Sequence, residues 1–404
     1  MNQLHLEGWG VRLRVSDIGS RSQLWCFDGR RDDDLGRMFT FHPRQCPYSA
    51  IIIEGHSGYI SFQALHWLSR NGIPVFIMDY DGSVISSILP PVPVKPEVRI
   101  AQIKTASDTQ TTFRIAKNLF QAKMNRSLQL LDWLSEAYDI ETEMQATKRE
   151  AMAVSEASTV PQLRTVEGRV ALYYWQAFRQ CLPRELRFKG RVSDGRNKNA
   201  SDAANAVLNY GYGFLQCECR KAVNSVGLEA GIGYSHTTAE WQTKESLVLD
   251  LMEPYRWLID LTVFQLFESG VLNSDSCFFQ ESDYRYRIFT ESKGKLLDAL
   301  REQFNSGVRY RGLTLKWDTL IAEKANELAR FLTGKSSSID FSEPTPTLEK
   351  QYGRKIRGRI LSLSSAEAKK LGIPKQTLFD LRKRARKQQA VRVYGKVRKR
   401  LATE

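Results

Sequence analysis

The chain has 404 residues, of which 42% are hydrophobic and 26% charged, a composition typical of a globular protein with a substantial core. It contains no apolar run long and uncharged enough to cross a bilayer and opens on no basic and apolar leader, so we expect a cytoplasmic protein without a membrane partner. The net charge of +14 equals that of residues 351–404 alone, which hold 17 basic and 3 acidic side chains.

The first 94 residues predict a β-rich domain. Val11–Val15 alternates with a period of two, and Ser49–Ile53 and Ile73–Met78 are apolar runs typical of buried strands. Between the last two, Ser61–Ser69 carries Phe62, Leu65 and Leu68 at helical spacing, which predicts a helix with these side chains on its apolar face. Asp81–Gly82 is a turn signal. A proline-rich stretch then ends the domain.

The remainder predicts three further segments. Residues 95–334 show long runs with helical periodicity, which predict a large all-α domain. Residues 335–350 are polar and contain prolines, as in a linker, and residues 351–404 form the basic tail. The expected fold class is therefore α+β multidomain, with an N-terminal β-rich domain, an α-helical catalytic domain and a small C-terminal helix-turn-helix domain.

One histidine and two acids stand out in the helical region. His236 follows a glycine-rich stretch and is the only histidine after residue 66; a loop histidine alone is typical of a hydrogen-bonded structural role. Asp250 and Glu253 share one face of a helix within an otherwise apolar run. The alternative is that these two acids cap a helix that starts at Pro254.

A third acid, Glu167, lies on a predicted helix with Ala171, Tyr174 and Phe178 on the same face. We therefore expect Glu167 to point inward. Buried carboxylates are rare unless they are paired or bind a metal, so the alternative is an internal ion pair with an arginine.

Carboxylate and imidazole groups from three separated segments suit a divalent cation that acts on phosphodiesters. Carboxylates favour Mg²⁺ or Mn²⁺, and an imidazole shifts the preference toward Mn²⁺. The sequence thus predicts a metal-dependent enzyme with one of these ions as cofactor.

Seven strings occur in a characteristic order over residues 1–333. They are Ile53–Ser61, Asn71–Val75, Arg99–Gln102, Glu167–Arg169 with Tyr173–Trp175, Asn205–Tyr212, Gly227–His236 and Leu249–Arg256. Together they resemble the CRISPR spacer-acquisition integrases, the family of CRISPR-associated protein one.

The resemblance implies a metal site on Glu167, His236 and Glu253, with Asp250 close by. The family often has aspartate at the position of Glu253, which leaves open whether Asp250 or Glu253 is the main ligand. The resemblance also implies homodimers or higher homo-oligomers built through the β-rich domain. It further implies transesterification, in which a DNA 3′-hydroxyl attacks a phosphodiester of target DNA. We expect Asn205, Asn209 and Tyr212, which match the family in the string Asn205–Tyr212, to be structural and not catalytic.

The basic tail predicts a helix-turn-helix. Gly372 follows the small Ala368 by four residues and can adopt the left-handed turn conformation, and Ile373, Leu378 and Leu381 supply a buried face. The residues expected at base edges are Lys375, Gln376 and Thr377, and those expected at phosphates are Arg382, Lys383, Arg384, Arg386 and Lys387. The alternative is a solvated basic helix without a partner.

An appended helix-turn-helix favours the related transposon-borne integrases, the casposases, which act on double-stranded DNA without a partner protein. A second interpretation is a spacer-acquisition integrase that needs its small partner, CRISPR-associated protein two. A third is a helix-turn-helix DNA-binding protein without catalytic activity.

Overall fold

The computed structural model describes residues 3–18, 21–30, 36–92, 95–191, 200–236, 245–282, 284–345, 348 and 360–386, with the backbone alone at 17, 18, 21 and 384–386. The chain forms two compact units, which are described separately. The first comprises Met1–Lys123 and Arg184–Pro344, and the second Met124–Pro183 and Thr345–Glu404.

The elements of the chain alternate between strand-rich and helical segments. The strands are β1 (Gln3–Glu7), β2 (Val11–Ile18), β3 (Arg21–Phe27), β4 (Met38–Phe41), β5 (Ala50–Glu54), β6 (Gly58–Ile60), β7 (Val75–Met78), β8 (Val84–Ile88), β9 (Cys277–Gln280), β10 (Arg285–Ile288), β11 (Gly307–Tyr310) and β12 (Leu313–Lys316). The helices are α1 (Phe62–Arg70), α2 (Pro96–Ser107), α3 (Thr109–Ser135), α4 (Glu141–Met152), α5 (Val160–Cys181), α6 (Ala203–Ser225), α7 (Ser246–Met252), α8 (Arg256–Glu268), α9 (Thr290–Asn305), α10 (Trp317–Leu332), α11 (Ser365–Lys370) and α12 (Lys375–Arg386).

Two four-stranded sheets build the N-terminal part of the first unit, as the sequence predicts. One has the order β1-β5-β7-β8, with β1, β5 and β7 parallel, and the other has the order β4-β3-β2-β6. Every residue of β5 is buried, which explains its continuous apolar run. Leu6, Leu13 and Ile51 belong to the common core of this region.

The predicted helix between the strands is present as α1, but its buried face differs from the expected one. Ala64, Trp67 and Leu68 are buried, whereas Phe62 is 82% exposed. The side chain of Ser61 accepts a hydrogen bond from the Ala64 main-chain N–H and so caps the helix. This cap makes Phe62 the first residue of the helix and turns it outward.

Helix α6 is buried along most of its length and packs against the strand-rich part of the first unit. The backbone of the turn at Gly82, which has φ +88°, lies directly on the helix. A Cβ atom on Gly213 would come within 1.9 Å of the Gly82 carbonyl oxygen. The turn and the helix therefore require glycine on both sides of the contact.

A buried ion-pair cluster reinforces this packing. The Lys293 ammonium lies 3.0 Å from Glu7 and also contacts Glu54, which accepts a hydrogen bond of 2.6 Å from the Tyr210 hydroxyl of α6. Burial raises the pKa of Glu54, and the positive charge of Lys293 opposes that rise. The cluster joins β1, β5, α6 and α9.

The expectation that residues 95–334 are entirely helical is wrong, because two antiparallel hairpins interrupt the helices. One pairs β9 with β10, and the other pairs β11 with β12. Each strand has four residues, too few for alternation to be distinguished from helical spacing in the sequence. The second hairpin turns at Arg311 and Gly312, which both have positive φ, the geometry of a tight two-residue turn.

The two units also cross the domain boundaries expected from the sequence. Residues 184–344 pack with the β-rich segment, whereas residues 124–183 group with the tail. None of the helices in the described part of the chain combines the length and apolarity that crossing a bilayer requires.

In the second unit, α4 packs against α5, and the tail contains α11 and α12 joined by a short turn. Ser364 and Glu367 form a reciprocal capping box at the start of α11, and Gly372 in the turn has φ +74°. The buried core of the two tail helices consists of Ile360, Leu363, Ala368, Ile373, Leu378 and Leu381.

Candidate functional site

Asp250, which lies on α7, organises the loop that carries the histidine. Its carboxylate is fully buried and accepts hydrogen bonds from the main-chain N–H groups of Tyr234, Ser235 and His236, the last two at 3.0 Å. The Ser235 hydroxyl also donates to it. Both carboxylate oxygens are therefore used in holding residues 234–236, and Asp250 acts as the anchor of the loop.

The same carboxylate fixes the ring of His236. Asp250 Oδ1 lies 2.6 Å from His236 Nδ1. Because an ionised carboxylate only accepts hydrogen bonds, the ring must carry a proton on Nδ1. When the imidazole is neutral, Nε2 then keeps a free lone pair, and it faces Glu253 Oε1 at 3.9 Å. The His236 side chain is 38% exposed, so an ion or substrate can reach it.

Glu253 lies in a short 3₁₀ turn, Glu253–Tyr255, between α7 and α8. Arg256 Nε donates to its Oε1 at 2.9 Å, and Lys123 Nζ lies 2.7 Å from its Oε2. Burial alone would raise the pKa of Glu253, but the positive charges of Arg256 and Lys123 outweigh it and lower the pKa to about 2. Glu253 is therefore ionised at neutral pH, as a metal ligand must be.

A second layer of side chains fixes Arg256. Its guanidinium lies 5.0 Å from the centre of the Tyr212 ring, and the Tyr212 hydroxyl donates to Asp260. Arg191 lies on the same ring at 5.4 Å. Tyr212, expected to be structural, thus supports the residue that holds Glu253.

The geometry of the first unit supplies two donors suited to a divalent cation, His236 Nε2 and Glu253 Oε1. Two ligands at about 2.1 Å from one ion can be up to about 4.2 Å apart, and the separation of 3.9 Å lies within that limit. Asp250 is already occupied by hydrogen bonds, and the described residues contain no group of three or more histidine, cysteine or acidic side chains arranged around one metal position.

Glu167, the expected third ligand, lies on α5 in the second unit. Tyr174 and Phe178 of the predicted inward face are buried, but Glu167 itself is only half-buried. It therefore lies at the edge of the buried face of α5 and not within it.

The tail residues expected at DNA divide into three groups. Lys375, Gln376, Thr377 and Lys383 are exposed. Arg382 is half-buried, and its Nε donates a hydrogen bond of 3.2 Å to the Ile360 carbonyl. A terminal nitrogen of its guanidinium donates to the Leu363 carbonyl, so Arg382 stabilises the tail core. Arg384 and Arg386 lie on α12 with only their backbone described, and Lys387 lies outside the described residues.

Sequence reasoning did not identify Lys123 or Arg256. Arg256 could have been found, because it follows Glu253 by three residues and so shares its side of the chain. Lys123 gives no local signal, since 130 positions separate it from Glu253.

Known proteins are similar to this chain over most of its length. The family described as CRISPR associated protein Cas1 matches residues 47–302. A CRISPR-associated endonuclease Cas1 of Archaeoglobus fulgidus is 28% identical over 303 residues, which are 70% of this chain and 86% of that protein. One from Pyrobaculum aerophilum is 32% identical over 75% of this chain and 92% of its own length.

Among solved structures, a casposase bound to integration product superposes with a TM-score of 0.78 and 31% identity, over 90% of this chain and 99% of that one. The mixed α+β fold is thus shared with a casposase. Because the family match spans more than half of the sequence, this chain belongs to the Cas1 family.

Proposed function

We propose that the protein is a metal-dependent DNA integrase and endonuclease that joins DNA 3′-hydroxyl ends to target DNA, in the manner of a casposase. The observation that carries the proposal is the orientation of His236, whose Nδ1 is held by Asp250 so that Nε2 faces the ionised Glu253. Two relatives are named endonucleases, and a structural neighbour is a casposase bound to integration product.

In this proposal His236, Glu253 and Glu167 would hold Mn²⁺ or Mg²⁺, and Glu167 is included because of its place in the family string. When bound, the ion supplies positive charge to the phosphate and to the oxygen that attacks or leaves. Asp250 keeps His236 in the tautomer with a free Nε2, and Arg256 holds Glu253 Oε1 in place.

Strand joining exchanges one phosphodiester bond for another. The oxygen of a donor 3′-hydroxyl forms a bond to phosphorus, and the bond from phosphorus to the 3′-oxygen of the target breaks. The attacking hydroxyl loses its proton to solvent, and the leaving oxygen gains one from solvent. Because no atoms or electrons are gained or lost, the reaction needs no co-reactant.

The tail and the β-rich segment have separate proposed roles. Exposed Lys375, Gln376 and Thr377 are at the start of α12, and we propose that they meet base edges as in a helix-turn-helix. For Lys383, which is also exposed, we propose a contact with phosphates. The described backbone of Arg384 and Arg386 continues the same helix. For the β-rich segment we propose homodimerisation or higher homo-oligomerisation.

The exposed apolar side chains on two strands support the dimer proposal. Met38 on β4 is 56% exposed and Tyr59 on β6 is 53% exposed, and both strands lie at the edges of their sheet. A glutamate in place of Met38 should shift the oligomeric mass measured by light scattering toward the monomer. An unchanged mass would place the interface elsewhere.

The test of function is a strand-joining assay with purified protein, a duplex carrying a free 3′-hydroxyl, supercoiled plasmid and Mn²⁺. We expect joined product with the protein alone, its loss in His236→Ala and Glu167→Ala, and retained DNA affinity in both variants. His66→Ala, which changes an exposed histidine on α1, is the matched control.

The other interpretations give different results in the same assay. Product that requires the small partner, CRISPR-associated protein two, would indicate a spacer-acquisition integrase. Tight DNA binding without joining or cleavage under either condition would indicate a non-catalytic helix-turn-helix protein.

A further inference from the structure

Lys123 is a charged side chain of α3 that reaches the proposed ligand Glu253. Its ammonium lies 2.7 Å from Glu253 Oε2. The Lys123 side chain is 22% exposed, whereas that of Glu253 is 4% exposed. Lys123 therefore connects the buried carboxylate to the solvent-accessible side of the site.

The two cations on Glu253 are held differently. Arg256 donates to Oε1 and lies on the Tyr212 ring, so its planar group is fixed between two partners. Lys123 carries a compact charge on a flexible four-carbon stem, which can exchange one anionic partner for another over a short distance.

Two cations contact the Glu253 carboxylate, and the Lys123 side chain is partly exposed. Lys123 and Arg256 both contact this one carboxylate, and the nearby Asp250 is already satisfied by the main-chain N–H groups of its loop. A partly exposed cation beside a site attracts anionic substrates. The phosphodiester of DNA is the anion that the proposed reaction brings to this position.

We propose that Lys123 is a catalytic residue that contacts the non-bridging oxygen of the phosphate undergoing strand joining. This inference rests on the proposed function. As phosphorus gains its bond to the donor oxygen and loses its bond to the target 3′-oxygen, negative charge accumulates on the non-bridging oxygens. Lys123 donates a hydrogen bond there and keeps its proton, so the balance of the reaction is unchanged.

The test compares Lys123→Met and Lys123→Arg with the wild-type protein. For Lys123→Met we expect kcat of strand joining to fall by about 10²- to 10³-fold, the usual effect of removing one charge-stabilising donor. Mn²⁺ binding, measured by calorimetry without DNA, should stay within about threefold of wild type or become tighter, because a cation competing for Glu253 is gone. Lys123→Arg should retain part of the activity.

Two further measurements separate catalysis from structure. Exogenous ethylamine should restore part of the joining activity of Lys123→Ala, which a purely structural defect would not allow. Lys104→Met, an exposed lysine on α2, is the control and should behave as wild type.

Full joining activity in Lys123→Met would overturn the proposal. So would a parallel loss of Mn²⁺ binding and joining without rescue by the amine, since Lys123 would then only shape the site. Failure of the wild-type protein itself to join DNA would refute the proposed function and this inference with it.

Discussion

Replacing Asp250 with asparagine tests whether this carboxylate anchors the histidine loop. Oδ1 receives the Ser235 hydroxyl, the His236 main-chain N–H and His236 Nδ1, whereas Oδ2 receives the main-chain N–H groups of Tyr234 and Ser235. Asparagine has one carbonyl oxygen, so at least two buried N–H groups lose their acceptor.

The size of the effect follows from these two bonds. Hydrogen bonds to a charged group contribute about 1.5–3 kcal/mol each, which gives a loss of about 3–6 kcal/mol in the free energy of unfolding. At about 2 °C per kcal/mol for a unit of this size, the melting temperature should fall by about 6–12 °C. Because the His236 ring also loses its fixed tautomer, Mn²⁺ affinity should fall by about 10- to 100-fold.

Thermal unfolding by fluorescence and Mn²⁺ titration by calorimetry measure the two effects separately. Asp298→Asn is the control, because the Asp298 side chain is 77% exposed and its pair with Arg301 should contribute little. A loss of Mn²⁺ binding with less than about 1 kcal/mol of destabilisation would refute the anchoring role and make Asp250 a direct ligand.

Three other predictions concern packing, acid stability and the tail. Gly294→Ala changes a helix position with open space around it and should stabilise the protein by about 0.5–1 kcal/mol. Gly213→Ala should instead lower the melting temperature, because its Cβ would overlap the Gly82 carbonyl. Equal effects of the two substitutions would refute the close contact. The lowered pKa of Glu253 means that its ionised form stabilises the fold above pH 4.5 and that this contribution is lost as the pH falls toward about 2. In melting curves against pH, Glu253→Gln should therefore approach wild type below pH 4.5, and a constant difference would contradict the assigned pKa. Deleting residues 351–404 should weaken DNA binding and flatten its salt dependence, and an unchanged slope would exclude the tail as the main phosphate contact.

Much of the strand-rich region could be predicted, because β5 and β7 are short continuous apolar runs, which are typical of buried strands. The hairpins β9–β10 and β11–β12 could not, since strands of four residues are stabilised by tertiary packing and leave little periodicity. The exposure of Phe62 could not be predicted from the sequence either, because it depends on which residue caps α1.

For the candidate site, the sequence indicated His236, Asp250 and Glu253 but not the separate role of each residue. Spacing placed both acids on one face, and only the hydrogen bonds of the loop show that Asp250 holds residues 234–236 while Glu253 faces His236 Nε2. Lys123 was missed for a physical reason, since a contact between residues this far apart along the chain depends on the tertiary fold.

The contact between Gly82 and α6 has a consequence for how this protein can be divided or recombined. A fragment that begins at residue 95 would lose the turn that covers Gly213 and the Glu54 carboxylate that neutralises Lys293, leaving a buried cation beside an uncovered helix. Exchanging the N-terminal strands with those of a distant relative would carry the same penalty unless α6 and α9 were exchanged too. The N-terminal strands, α6 and α9 are therefore expected to be inherited together, as one unit of evolutionary exchange.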